Sequence, residues 1–405
     1  MSLAGKARSI FNSIIYLHSW LYRLRPSVCH GPFKPYKTSL NRFSFADGKI
    51  DPNQRRWIPF ESDTLKNGAS VDFVDGLHTL AFSSSDGCVG SSVAIHIYLT
   101  SSDMLNKSFV NSDGDFLIVP QAGELFIRTE FGCLTVEPNE IAVIQQGMKF
   151  SVGCGKKSSP HLRGYILEVR GNHFELPNLG PIGANGLANP RDFLIPTASV
   201  DLKNLKTEHQ VVVKFQNNLF VASQQHSPYD VAAWSGNYTP YKYDLSKFVC
   251  VNSVRIDHPD PSIFTVLTCP SIGKPGTALA DFVIFPPRWE CAENTFRPPY
   301  FHRNCMTEFM GLIRGQYQAK SKEFAPGGAS LHQSMIPHGP DEQSYKVATE
   351  QDTSAPKRIP DDTMAFMFET CLSLKLSQWA CYENVDEDYQ KCWEGLSKLN
   401  LDVGH

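Results

Sequence analysis

Residues 114–152 read GDFLIVPQAGELFIRTEFGCLTVEPNEIAVIQQGMKFSV, a succession of short apolar segments separated by Gly, Pro, Asn and Glu. Apolar and polar side chains alternate within the segments, which is typical of β-strands that turn one face toward a core. The same pattern extends from Val71 to Val169, with VAIHIYL before this stretch and RGYILEV after it. Evenly spaced short strands predict an antiparallel sandwich or jelly roll.

The second half of the chain continues in the same way. KFVCVNSV, SIFTVLT and ADFVIFPP, between residues 247 and 287, are predicted strands. Helical periodicity is confined mainly to DEDYQKCWEGLSKL near the C-terminus. The chain is therefore predicted to be mainly β, with few helices.

Residues 300–341 read YFHRNCMTEFMGLIRGQYQAKSKEFAPGGASLHQSMIPHGPD and have the composition of a non-haem metal site. His302 and Glu308 are six residues apart, so one strand would present both side chains on the same face. His338 would complete the set from a following strand. A lone strand histidine is more often a hydrogen-bonded core residue, but a glutamate within an apolar run is costly to bury unless it is paired or metal-bound. Two neutral imidazoles and one carboxylate leave the opposite side of a metal open, which suits Fe(II).

The spacing of this segment resembles the first cupin motif, with His302 as its first histidine, Glu308 as its glutamate and Gly315 as its glycine. PGGASLH, residues 326–332, resembles the second motif. Asn304 stands where the motif has its second histidine, so a three-ligand site is favoured over the standard four-ligand one. The predicted fold class is accordingly mainly β, with cupin-like or jelly-roll β-sandwich domains and a few helices.

The composition is that of an ordinary globular protein. The 405 residues carry a formal net charge of −3, with 41% hydrophobic and 20% charged residues, so there is no basic surface for nucleic acid. No apolar run is long enough to cross a bilayer. The 11 cysteines include no CxxC pair and are expected to be free thiols in a reducing compartment. We therefore predict a cytoplasmic protein without nucleic-acid or membrane partners.

The N-terminus departs from this pattern, because the stretch from Met1 to Ala46 contains Lys and Arg but no acidic residue. AGKARSIFNSIIYLHSWLYRLR, residues 4–25, has amphipathic helical spacing, which would fit a mitochondrial presequence. We favour the alternative that residues 1–18 are an atypical segment with a non-native start, and that the domain proper begins near Ser19.

From Ser19 to Trp393 the chain resembles the homogentisate 1,2-dioxygenases. Long blocks stand in the family's order, among them SWLYRLRPSV, NSDGDFLIVPQ, GPIGANGLANPRDFLIP, WSGNYTPYKY, DPSIFTVLT, HRNCM, EFMGLIRG and PHGPD. The resemblance implies an Fe(II)-dependent enzyme that cleaves the ring of homogentisate with O2. It implies 4-maleylacetoacetate as the product, a place in tyrosine and phenylalanine catabolism, and a homo-oligomer, a hexamer built from two trimers.

The resemblance also implies roles for individual residues. His302, Glu308 and His338 correspond to the family's iron ligands, and Tyr317, together with His338, to substrate binding. His258, in RIDHPDPSIF, corresponds to the histidine that accepts the substrate's proton.

Other residues beside these positions are expected to act indirectly. His332 is expected to orient a ligand or the substrate by hydrogen bonding. Arg297, Arg303 and Asn304 flank the predicted ligand strand and are expected to be structural.

Domain boundaries follow from the same reasoning. A Gly-, Pro- and Asn-rich connector at residues 177–193 and an aromatic-rich stretch at residues 234–245 precede the predicted metal segment. We expect residues 19–245 to form a β-rich structural and assembly domain, and residues 246–405 a cupin-like catalytic domain with the iron site.

Two alternatives stay open. The chain would be a cupin-fold binding protein if its metal set had no catalytic use. It would be an impaired copy of the enzyme if the segment before SWLYR, which is shorter than the family's and dissimilar to it, prevented assembly.

Overall fold

The computed structural model of the chain describes residues 17–38, 43–45, 47–61, 65, 67–83, 90–156, 161–178, 186–251, 261–320 and 323–396. The predicted atypical segment at residues 1–18 lies almost wholly outside these ranges, and so does the middle of the predicted connector at residues 177–193. The ten cysteines within the ranges are free thiols.

Strands make up most of the regular structure, which confirms the predicted mainly β class. In chain order they are β1 (Ser19–Arg23), β2 (Lys34–Pro35), β3 (Arg55–Trp57), β4 (Leu77–Phe82), β5 (Ser92–Thr100), β6 (Lys107–Asn111), β7 (Asp115–Ala122), β8 (Leu125–Thr129), β9 (Gly132–Val136), β10 (Glu140–Ile144), β11 (Lys149–Cys154), β12 (Leu162–Arg170), β13 (His209–Phe215), β14 (Asn218–Gln224), β15 (Val231–Gly236), β16 (Tyr241–Asp244), β17 (Thr265–Pro270), β18 (Ala278–Phe285), β19 (Trp289–Glu290), β20 (Thr307–Arg314), β21 (Ala329–His332), β22 (Lys357–Arg358), β23 (Met364–Thr370) and β24 (Lys375–Leu376).

Helices are few and short, as predicted. The α-helices of the described ranges are α1 (Glu342–Glu350) and α2 (Gln378–Tyr382). Short 3-10 turns occur at Pro190–Asp192, Leu202–Asn204, Leu245–Lys247, Pro261–Phe264 and Tyr389–Trp393. None of the helices in the described part of the chain is long and apolar enough to cross a membrane.

Three sheets stack in layers. The central sheet has the order β16-β10-β7-β12-β5-β4-β24, the outer sheet β2-β14-β13-β6-β11-β8-β9, and the C-terminal sheet β17-β18-β23-β20-β21-β3. The central and outer sheets enclose one apolar core, in which Phe116 stacks on Phe109 with ring centroids 5.8 Å apart. These two sheets form the sandwich that the spacing of the N-terminal segments predicts.

The other face of the central sheet packs against the C-terminal sheet. Tyr165 of β12 contacts Phe309 of β20 and Phe366 of β23, with ring centroids 6.1 and 4.9 Å apart. Because both faces of the central sheet are covered, every residue of β5 is buried. The one-sided alternation of a half-exposed sheet is therefore lost in this strand.

The two halves of the chain exchange edge strands. β3, from the N-terminal half, pairs with β21 of the C-terminal sheet, and β24, from the C-terminal half, pairs with β4 of the central sheet. The Trp57 indole of β3 is buried and donates to the Ala380 carbonyl at 2.8 Å. The layers are thus held together by backbone pairing as well as by apolar packing.

Some local predictions differ from the structure. Lys247, the first residue of KFVCVNSV, ends a 3-10 turn, and the described part of this segment, up to Val251, forms one bridge, between Val249 and Leu187, instead of a strand. In the C-terminal DEDYQKCWEGLSKL, the described residues 386–396 form the 3-10 turn Tyr389–Trp393 rather than an α-helix. The longest described α-helix, α1, was not predicted. It begins after Asp341, whose carboxylate caps Ser344 N at 2.8 Å, and it buries no residue, so it lacks the apolar stripe that sequence patterns reveal.

Candidate metal centre

The three predicted metal ligands meet at one edge of the C-terminal sheet. Glu308 is the second residue of β20, and His302 and His338 lie outside the sheet in two short extended segments. The backbones of these two histidines pair, with N···O distances of 2.8 and 2.9 Å in the two directions. This pairing brings together side chains that are 36 residues apart in the sequence.

The prediction that a single strand carries both His302 and Glu308 is wrong, as is the prediction that His338 lies on a following strand. Asn304 forms a turn between them, because its side-chain oxygen accepts from Met306 N at 3.0 Å. The turn ends the extended segment of His302 before β20 begins. The side chains converge because of tertiary pairing and not because of the period-two geometry of one strand.

The ligand atoms of His302, Glu308 and His338 all lie within 4.8 Å of one another. His338 Nε2 lies 2.9 Å from Glu308 Oε2, and His302 Nε2 lies 3.6 Å from Glu308 Oε1. Among the described residues, this is the group whose geometry can hold a metal ion.

Backbone carbonyls orient both imidazoles. His302 Nδ1 lies 2.5 Å from the Tyr300 carbonyl, and His338 Nδ1 lies 2.9 Å from the Ile336 carbonyl. A carbonyl only accepts, so each Nδ1 carries a proton and donates it. In both rings Nε2 is the nitrogen that faces the carboxylate, and His338 Nε2 is hydrogen-bonded to it. In a neutral ring protonated on Nδ1, Nε2 carries the lone pair that a metal would take in place of that hydrogen bond. This backbone support of the far nitrogen is typical of histidine ligands.

The carboxylate of this site has no fixed cation as an ion-pair partner in the described ranges. Glu308 is buried, and no Lys or Arg of the described ranges forms an ion pair with it. Burial alone would raise the pKa of Glu308, but its contacts with the two imidazoles outweigh burial and hold the pKa well below its usual range. The contact with Glu308 in turn raises the pKa of His302. Two nitrogen lone pairs and a carboxylate that face one point fit a divalent metal ion.

Asn304 supports the carboxylate directly. Its side-chain nitrogen donates to Glu308 Oε1 at 2.6 Å, while its oxygen forms the turn described above. The residue that departs from the four-ligand cupin motif thus holds the carboxylate of a candidate ligand in place. Arg297 was expected to be structural, and its contacts agree: it is buried and donates to the carbonyls of Ala292, Thr353 and Ala355.

His332 lies beside the group without belonging to it. It is the register partner of Glu308 on β21, and its ring stacks on His338 with centroids 4.3 Å apart and planes 12° apart. Its Nε2 lies 2.8 Å from the Tyr389 hydroxyl, which also accepts from Lys320 Nζ at 3.0 Å. Tyr389 and Lys320 were not found by sequence reasoning, because neither stands in a motif and Tyr389 is 57 residues from His332.

Tyr317 and His258 are the other two predicted site residues. Tyr317 is buried in an apolar cluster, where its ring lies 5.3 Å from that of Phe285. Burial raises its pKa, and the charge of Glu308 raises it further. His258 lies outside the described residues.

A cavity of about 390 Å³ opens onto the histidines. Its walls are mostly apolar and include Phe301, Pro337, Trp393 and Leu396, with Arg303 as a charged residue. Cavities of this size hold small organic ligands, for which apolar walls with a few polar groups are typical.

Comparisons with known proteins agree on one family. The family model "Homogentisate 1,2-dioxygenase N-terminal" matches residues 10–245, and "Homogentisate 1,2-dioxygenase C-terminal" matches residues 246–400. The chain is 56% identical to the homogentisate 1,2-dioxygenase of Homo sapiens over 380 residues, which cover 93% of this chain and 84% of that one. It is 56% identical to the Dictyostelium discoideum enzyme over 378 residues, with 93% and 85% covered, and 51% identical to the Arabidopsis thaliana enzyme over 394 residues, with 95% and 83% covered.

Among solved structures, a cupin 2 conserved barrel domain protein from Leptotrichia buccalis aligns over 78% of this chain and 99% of its own. The TM-score is 0.29 and the identity is 7%.

Proposed function

The chain belongs to the homogentisate 1,2-dioxygenase family, and from this premise we propose that it holds Fe(II) between His302, Glu308 and His338 and uses O2 to open the ring of homogentisate. The proposed product is 4-maleylacetoacetate, and the proposed setting is tyrosine and phenylalanine catabolism. The family is one of dioxygenases, so the chain is an enzyme with a small aromatic substrate and O2 as its reactants.

One observation carries the metal part of the proposal. Two imidazole Nε2 atoms and a buried carboxylate converge within 4.8 Å, and no protein cation of the described ranges neutralises them. A divalent ion would supply the missing charge and accept all three electron pairs. Three ligands on one side leave room for a bidentate substrate and for O2, which is the arrangement that non-haem Fe(II) oxygenases use.

When bound, Fe(II) supplies a centre at which an electron-rich ring and O2 come together. The side chains do the remaining work. Glu308 and the two histidines hold the ion, Asn304 fixes the orientation of the carboxylate, and the Tyr300 and Ile336 carbonyls fix the two rings. The apolar side chains that line the pocket would contact the ring of the aromatic substrate.

Two further roles come from the family resemblance. His258 is proposed to accept the phenolic proton, because an imidazole titrates near neutral pH. Tyr317 is proposed to donate a hydrogen bond to the substrate, which His338 also contacts. The raised pKa of Tyr317 keeps its hydroxyl protonated and able to donate.

The remaining proposals concern organisation. Residues 19–245 would serve structure and assembly, and residues 246–405 would carry the catalytic site. The enzyme is proposed to be cytoplasmic and to assemble as a hexamer of two trimers.

The test is oxygen consumption by the full chain. Protein loaded anaerobically with Fe(II) receives homogentisate, an electrode follows O2, and ultraviolet absorbance follows the ring-cleaved product. We expect one O2 consumed for each product formed. Metal-free and Mn(II)-loaded samples are the controls, and equal turnover with Mn(II) would contradict the assignment of iron.

The same experiment separates the alternatives. A cupin-fold binding protein would bind homogentisate but consume no O2. An impaired copy would fail to bind iron or would aggregate on size-exclusion chromatography. Homogentisate turnover by a monodisperse, iron-loaded sample would exclude both.

A further inference from the structure

A row of buried side chains leads away from the metal site on the side of His338. Lys320 Nζ donates to the Tyr389 hydroxyl at 3.0 Å, and this hydroxyl lies 2.8 Å from His332 Nε2. All three residues are buried. At the far end of the row, the His332 ring stacks on the His338 ring.

The chemistry of the donors fixes the direction of these hydrogen bonds. An ammonium group only donates, so the Tyr389 oxygen accepts from Lys320. Among the described residues the Tyr389 hydroxyl has no acceptor other than His332 Nε2, so its proton is satisfied only if it donates to this nitrogen. A neutral imidazole that accepts at Nε2 carries its proton on Nδ1. Neither ring nitrogen of His332 therefore keeps an unused lone pair.

This matters because of where His332 lies. As the register partner of Glu308, it projects from the same face of the sheet, next to a ligand histidine. A third imidazole with a free lone pair at this place would compete for one of the positions that the substrate and O2 need. Yet His332 is absent from the convergent group of His302, Glu308 and His338.

We propose that Lys320 and Tyr389 are positioning residues that hold His332 as a hydrogen-bonded imidazole against His338, so that the metal keeps three protein ligands and its remaining positions stay open. The proposal rests on the proposed function, since it assigns a purpose to the open positions. It also explains why the C-terminal 3-10 turn Tyr389–Trp393 packs against the site.

Lys320 is anchored as this role requires. Its ammonium also donates to the Gly339 carbonyl at 3.1 Å, directly after the ligand His338, and it lies over the rings of Tyr389 and Trp393 at 5.4 and 5.6 Å from their centroids. No carboxylate in the described part of the chain forms an ion pair with it. Burying a cation without an anionic partner costs free energy. Here the Lys320 ammonium holds in place both the hydrogen-bonded row Lys320–Tyr389–His332, called the relay below, and the segment that carries His338.

The first test compares Tyr389→Phe with the wild type. The variant lacks one hydroxyl and frees the His332 lone pair. Tyr243→Phe is the matched control, because the Tyr243 hydroxyl is also buried, has no hydrogen-bond partner and belongs to β16, an edge strand of the central sheet and not of the sheet that carries Glu308 and His332. The visible spectrum of the Co(II)-loaded proteins reports the ligands of the metal without requiring turnover.

We expect the Tyr389→Phe spectrum to change in position and intensity as His332 joins or disturbs the ligand set, and kcat/KM for homogentisate to fall at least about tenfold at full metal content. Tyr243→Phe should match the wild type in both measurements. A wild-type Co(II) spectrum in Tyr389→Phe, with kcat/KM within about twofold of wild type, would overturn the proposal.

Lys320 provides an independent test if Tyr389→Phe folds poorly. Lys320→Met removes the ammonium and should change the Co(II) spectrum in the same direction, whereas Lys320→Arg retains donors and should restore it at least in part. Equal spectra for Lys320→Met and wild type would contradict the role of Lys320. If the wild-type protein fails to cleave homogentisate, the proposed function fails, while the Co(II) comparison still decides whether the relay excludes His332 from the metal.

Discussion

Glu168 and Glu308 are both buried, but the protein compensates their negative charges in different ways. Glu168 lies on β12, inside the sandwich of the central and outer sheets, and is fully buried. It contacts Lys214 Nζ at 2.7 Å, Arg170 Nε at 3.1 Å and His96 Nε2 at 3.0 Å. Asp113 pairs with Lys214 at 2.5 Å, so two cations meet two carboxylates.

Glu308 is also buried, but the protein supplies it with no cation in the described ranges. Burial would raise the pKa of either carboxyl, and in both cases neighbouring groups lower it instead: mainly Lys214 for Glu168, and the two imidazoles for Glu308. A carboxylate neutralised by protein cations cross-links two sheets. A carboxylate that contacts imidazoles and an amide, but no protein cation of the described ranges, leaves a place for an ion. The difference separates a structural cluster from a candidate metal centre.

The largest effect is expected from Glu308→Gln, which removes the charged ligand with little change in volume. Metal affinity should collapse, and kcat should fall by roughly a thousandfold or more, because a neutral amide is a poor ligand. Metal analysis and O2 uptake measure the two effects. Glu140→Gln, at a partly exposed ion pair with Lys242, is the control and should retain both. Wild-type activity in Glu308→Gln would refute the metal assignment.

The opposite change, Lys214→Met, should leave the metal centre intact and weaken the fold. It leaves Glu168 buried without its closest cation, so the free energy of unfolding should drop by about 3–5 kcal/mol. Urea unfolding measures the loss, and metal content serves as the internal control. If the metal were lost and stability kept, the two clusters would have been assigned the wrong way round.

The imidazoles extend the comparison to pH. His209, on β13 of the sandwich, is buried with an unpartnered Nε2, and burial lowers its pKa to about 4 from an unfolded value of 6.5. Between these pH values the unfolded chain binds a proton at His209 that the folded chain does not bind. The contribution of His209 to the free energy of unfolding therefore falls by about 3 kcal/mol as the pH drops from 6.5 to 4.

His209→Phe should remove this part of the pH dependence, because phenylalanine cannot take up a proton in either state. Melting temperatures of metal-free wild type and variant between pH 7 and 4 provide the measurement. Parallel curves would show that His209 is not responsible.

The smallest effect is expected from Asn304→Ala, which keeps all three candidate ligands and removes the hydrogen bond to Glu308 Oε1 together with the turn bond from Met306 N. Loss of such a support typically weakens metal binding by about tenfold. Competition with a chelator measures the affinity. An unchanged affinity would mean that the two imidazoles alone orient the carboxylate.

The local sequence was a sound guide to the strands and to the identity of the clustered residues. Alternation and turn residues predicted most of the strands between Val71 and Val169, because these depend on neighbours along the chain. His302, Glu308 and His338 were predicted as one group from residue type and family resemblance, and they do lie together. The predicted reason for their proximity was wrong, because a turn at Asn304 interrupts the strand that was expected to carry both His302 and Glu308.

Contacts between distant segments were out of reach of sequence patterns. The pairing of His302 with His338, the exchange of β3 and β24, and the Lys320–Tyr389–His332 relay join residues whose spacing has no period. Periodicity reports which face of an element is apolar, and it carries no information on which buried polar groups will meet. Chain order and residue chemistry thus specify the β architecture and the types of the candidate metal-binding residues. Packing of the layers alone selects which carboxylate receives a protein cation and which one is left for a metal.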